Sequence, residues 1–165
     1  MIALILAPFL VQSITIFVDE FYFHWKRGLP RWERIGHPLD TLSVLICFLW
    51  VLFLPCTGLY LKVYVGLAIF SCILVTKDEF VHKECCPAAE QWLHAILFLN
   101  HPLTLTLLGC LWPLLHGAEL PSFLTSYAVH QGLVKGVLVA QAGFTALFGC
   151  YQLIYWNFIW KEKQL

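Results

Sequence analysis

Five apolar runs, at roughly 2–18, 41–60, 61–76, 91–115 and 132–160, take up most of this chain. Each is close to the ~20 residues that a helix needs to cross the hydrocarbon core of a bilayer. Charged residues make up 12% of the 165 and hydrophobic ones 60%, whereas about a quarter of a soluble domain is charged. The expectation is an all-α integral membrane protein, a single domain over 1–165 with five transmembrane helices. Two of the runs meet near Pro55-Cys56-Thr57-Gly58, a sequence suited to a tight turn. No basic segment precedes the first run, and ionisable residues stand at its end, so it is read as a retained helix and not a cleaved signal peptide.

Basic residues set the orientation, since Lys and Arg are held on the cytoplasmic side. Lys26, Arg27, Arg31, Arg34, Lys77, Lys83, Lys161 and Lys163 fall at ends one, three and five, against Lys62 and Lys135 at the opposite ends. The N-terminus is therefore expected outside and the C-terminus in the cytoplasm. A formal net charge of zero argues against nucleic acid as a partner.

Most of the acids and histidines lie in two blocks that repeat each other. The first holds Asp19, Glu20, His24, Glu33, His37-Pro38-Leu39 and Asp40; the second holds Asp78, Glu79, His82, Glu90, His94 and His101-Pro102-Leu103. The likeness divides the chain into a repeat at about 2–57, a second at about 60–115, and a fifth helix at about 131–160. Each repeat is a helical hairpin, and two such hairpins in the same sense make a four-helix bundle of helices 1–4, with helix 5 outside the repeat. On helix 5, Gly132, Gly136 and Ala140 form a small-residue face, for which packing within the monomer is expected ahead of a homodimer contact. Pro30 and Pro87 precede the second helix of each hairpin, where a missing amide hydrogen costs little. Pro38 and Pro102 fall inside helices, where each frees a carbonyl that must find another donor.

Ionisable groups in so apolar a chain are costly and usually functional. Residues three, four or seven apart share a helix face. That rule puts Glu20 with His24, Glu33 with His37 and Asp40, Asp78 or Glu79 with His82, and Glu90 with His94 and His101. Carboxylate with imidazole suits Fe, Mn or Zn. The candidate ligands are Glu20, His24, Glu33, His37, Asp40, Glu79, His82, Glu90, His94 and His101, which is too many for one ion, so two are expected, iron first, with zinc or manganese as alternatives. Asp40, Asp19 or Asp78 would hold the second nitrogen of a ligating histidine. Cys85 and Cys86 sit inside the second block and are read as reduced loop thiols, with a redox or auxiliary-ligand role as the alternative. The ligand set resembles that of carboxylate-bridged di-iron and di-manganese four-helix proteins, in which helices supply Glu and His to the bundle core; the likeness is one of ligand type alone.

The function expected from these residues is a dimetal oxidoreductase acting on a lipid-soluble substrate at the cytoplasmic membrane face. The alternative is a zinc-dependent hydrolase of a lipid-like substrate, with Glu33 or Glu90 as general base. Metal transport or sensing is the third expectation, weakened by the scarcity of polar residues in the outer halves of the helices.

Overall fold

The computed structural model describes residues 2–78, 86–122 and 124–160, and the described residues are helical, with no strand. Among them five helices are long and apolar enough to cross a membrane: α1 (Ile2–Arg27), α2 (Arg31–Phe53), α3 (Gly58–Lys77), α4 (Ala88–His116) and α5 (Thr125–Ile159).

The breaks between helices follow local chemistry. Pro30 and Pro87 stand immediately before α2 and α4 with nearly the same extended dihedrals, φ −63°, ψ 157° and φ −66°, ψ 155°. Thr57 opens α3, its hydroxyl accepting from the Tyr60 amide. Gly117 closes α4 in the left-handed region at φ 63°, which a residue with a Cβ rarely adopts. Pro38, inside α2, cannot bond the carbonyl of Arg34, and Asn157 of α5 donates to that oxygen at 3.2 Å.

Large apolar side chains point outward, among them Leu4, Ile14, Phe53, Ile73, Leu99 and Leu147. Between the helices, by contrast, lie Gln12, Thr15, Ser43, Ser71, Asn100, Thr104, Thr145 and Gln152, all buried. This inversion suits lipid, where apolar contact with solvent costs nothing and polar groups are satisfied between helices.

Packing is not sequential. The main partner of α1 is α4; α2 packs along α5 and α3; α3 also packs against α4. Helix α5, expected outside the bundle, is therefore an integral wall of it. It packs through Val134, Leu138, Ala142, Thr145 and Phe148. Gly132, Gly136 and Ala140 face away from the other helices, with nothing within 4 Å of where a side chain on either glycine would begin. The expected packing of that stripe within the monomer is thus replaced by an outward-facing stripe.

One end of the bundle is filled by apolar side chains, including Phe9, Phe48, Val51, Leu108, Trp112 and Leu138. There Tyr64 donates to the Leu105 carbonyl and lays its ring where a Cβ on Gly109 would come within 2.7 Å. Trp112 and His116 hydrogen bond the Leu54 and Val51 carbonyls at the end of α2. The polar residues of the two blocks gather at the opposite end.

Candidate metal centre

The polar end is built around a local departure from α-helical geometry. Asp19–His24 in α1 is a turn of π-helix, closed by i→i+5 bonds. Five residues along an α-helix would turn a side chain about 140° away from the first. In the π-turn, Asp19 and His24 instead share a face, with Asp19 Oδ2 3.2 Å from His24 Nε2. The other Asp19 oxygen, Oδ1, lies 3.1 Å from His94 Nε2 on α4. One carboxylate therefore spans two imidazoles carried by different helices.

Glu20 does what was expected of Asp19. Its Oε2 accepts from His24 Nδ1 at 3.2 Å, while Oε1 accepts from the Trp156 indole and from the Tyr151 hydroxyl of α5. With the Nδ1 hydrogen given to Glu20, the neutral His24 ring has its lone pair on Nε2, facing Asp19 Oδ2 and, at 3.7 Å, Glu90 Oε1. Electron-rich atoms so arranged repel each other unless a proton or a metal ion lies between them. His24 Nε2 and Glu90 Oε2 are both buried and make no hydrogen bond among the described residues.

Two groups of donors could hold an ion: Asp19, His24, Glu90 and His94, all buried, and His24, Glu33 and His37. Within each, the ligand atoms lie within 4.8 Å of one another. Ligands bound at about 2.0–2.2 Å with tetrahedral or octahedral angles sit about 2.8–3.6 Å apart. The separations of 3.1, 3.2 and 3.7 Å around Asp19, His24, His94 and Glu90 come close to that spacing before any ion is placed.

Arg27 lies among the same carboxylates. Its Nη2 donates to Glu33 Oε2 at 2.7 Å and to Glu90 Oε1 at 2.9 Å, and its Nε reaches Glu90 Oε1 at 3.0 Å. Counted from Pro30 and Pro87, Glu33 and Glu90 occupy the same position, and so do His37 and His94. Both glutamates meet on the one guanidinium, while His37 lies on His24 and His94 meets Asp19. His37 stacks obliquely on His24, ring centroids 4.9 Å apart, and approaches Glu33 at 3.7 Å.

Not every expected ligand joins these groups. Asp40 pairs with Lys77 at 2.6 Å. His101 lies deeper along α4 in a directed chain: Asn100 donates to Gln12, Gln12 to His101 Nδ1, His101 Nε2 to Ser71, Ser71 to Ser43, and Ser43 to the Asp40 carbonyl. Both ring nitrogens of His101 are engaged there. Glu20 holds His24 from outside the groups. Glu79 and His82 lie outside the described residues, and so does Cys85. Cys86 is buried beside Glu90 and Arg27, and burial pushes its thiol up to about 12.

The centre opens onto a cavity of about 120 Å³. Asp19, His24, His37 and His94 line its polar end; Ile16, Val44, Leu97, Phe98, Phe144 and Phe148 form its walls. Ser13 and Gln141 hydrogen bond each other across α1 and α5 at 2.8–3.0 Å beside it. Sequence reasoning missed Asp19 as a member of a donor group that could hold an ion, Arg27 between the two glutamates, and the α5 contribution of Tyr151 and Trp156. The one available signal was the five-residue spacing from Asp19 to His24, which reads as a shared face only if a π-turn is assumed. No family model, curated protein or solved structure matches the chain.

Proposed function

We propose that this protein is a metal-dependent membrane oxidoreductase that acts on a lipid-soluble substrate in the cavity between α1, α2, α4 and α5. The observation that carries the reading is the convergence of Asp19, His24 and His94, all buried, on one end of a cavity with largely apolar walls. Two imidazoles and a carboxylate with free positions toward a cavity form the donor set associated with non-haem Fe(II). The metal would supply redox chemistry; the chain would orient its ligands through Glu20 and shield the centre from water with Phe98, Phe144 and Phe148.

Two features weigh against the alternatives. Hydrolysis would have Glu33 or Glu90 take a proton from water, and each of these carboxylates has the Arg27 guanidinium beside it, at 2.7 and 2.9 Å. Transport needs a polar path, and beyond the cavity lie Phe9, Phe48, Val51 and Leu108 in close packing. Lys26, Arg27, Arg31, Arg34 and Lys77 gather at the end of the bundle that carries the centre, which supports reading that end as the cytoplasmic face.

Elemental analysis of the detergent-purified protein tests the reading. Stoichiometric iron, lost in Asp19→Asn and His94→Ala variants that still purify as folded helical protein, is the expected result. Stoichiometric zinc with no iron binding would move the reading to hydrolysis, and the absence of any tightly bound metal would overturn it.

A further inference from the structure

We infer that the centre holds one metal ion, and that the Arg27 guanidinium stands where a second would otherwise be needed. The inference rests on the metal reading above. Its first support is His24. Both donor groups include this residue, and its Nδ1 is held by Glu20. Only Nε2 is left, and one nitrogen lone pair binds one ion. The two groups as they stand are therefore alternative placements of a single ion, and a second ion would have to be held without His24, by the Glu33 and Glu90 carboxylates and His37.

The second support is the matched pair of glutamates. Glu33 and Glu90 are both fully buried, at 0% exposure, each three residues beyond its proline. Two buried carboxylates facing each other need a cation or a shared proton between them. Arg27 supplies the cation, donating to both from one nitrogen at 2.7 and 2.9 Å. A guanidinium is always protonated, and its planar fork fits carboxylates well. A divalent ion placed between the same oxygens would sit against this fixed positive charge. In sequence the two repeats differ here: three residues before Pro30 stands Arg27, whereas three before Pro87 stands Glu84. One arginine thus serves both repeats. Glu90 Oε1, which accepts from Arg27, is also the oxygen 3.7 Å from His24 Nε2, so this carboxylate joins the guanidinium to the centre.

The test is a titration of the metal-stripped, full-length protein in detergent with Mn(II), read by equilibrium binding and electron paramagnetic resonance. Wild type is expected to take up one equivalent and to show an uncoupled Mn(II) spectrum. Arg27→Met, which removes the charge, is expected to gain a second equivalent and spin coupling, while Arg27→Lys stays at one. Two equivalents or a coupled spectrum in wild type would overturn the inference and leave the metal reading standing. One equivalent in Arg27→Met would overturn the part assigned to Arg27. Failure of wild type to bind Mn(II), Fe(II) or Zn(II) would overturn both readings together. Should Arg27→Met fail to fold, the wild-type spectrum alone decides the number of ions.

Discussion

Glu20 accepts the Nδ1 hydrogen of His24 and so fixes which nitrogen of the imidazole faces the centre. The carboxylate is itself held by the Trp156 indole and the Tyr151 hydroxyl, so it cannot turn away. Removing such a hold on a ligating histidine typically costs about 10–100-fold in metal affinity. Glu20→Gln should therefore weaken metal binding by that order without displacing Asp19 or His94. Competition with a chelator of known affinity measures it; an unchanged dissociation constant would separate Glu20 from the centre.

Tyr64 of α3 lies directly against Gly109 of α4. A methyl group at Gly109 would lie within 2.7 Å of the Tyr64 ring, and overpacking of this kind costs about 1–3 kcal/mol. Gly109→Ala should lower the thermal midpoint in detergent, and Tyr64→Leu in the same chain should recover part of the loss. If the two substitutions prove additive, the contact is not the cause.

Ser13 and Gln141 join α1 to α5 within the apolar zone. Hydrogen bonds between transmembrane helices average about 0.6 kcal/mol. Gln141→Leu is expected to cost about that much in unfolding free energy and to leave metal content unchanged. Loss of metal would show that α5 positions the centre through this bridge as well as through Trp156.

Cys86 is raised from an ordinary thiol value of 9.0 to about 12 by burial. A raised value keeps the group neutral at physiological pH and leaves little of the reactive thiolate. In a chain whose other cysteines are replaced, Cys86 should react with iodoacetamide at least about tenfold more slowly when folded than after denaturation in dodecyl sulfate. Equal rates would place the thiol in water.

The five spans were readable because apolar run length is set by bilayer thickness, and Pro30, Pro55 and Pro87 punctuated them. The equivalence of Glu33 with Glu90 was readable too, since both are counted from a proline that opens a helix. Other assignments depended on information that spacing does not contain. The π-turn exchanged the roles of Asp19 and Glu20, because one extra residue per turn changes which acid shares a face with His24. His101 looked equivalent to His37 through the shared His-Pro-Leu, yet its partners Gln12 and Ser71 lie 89 and 30 residues away. Arg27 read as one more basic residue at a membrane edge; its two partners are brought together only by the fold. Helix α5 lacks acids or histidines along its apolar stretch, so nothing in its pattern announced that it would hold Glu20.

That last contact fixes an order of assembly. Trp156 lies 136 residues after Glu20, near the end of the final helix, and Asn157 there takes up the carbonyl that Pro38 leaves open in α2. While the chain is being synthesised, α1 and α2 are complete long before either partner exists. The hold of Trp156 on Glu20, and through Glu20 on His24, therefore cannot form until α5 has been made.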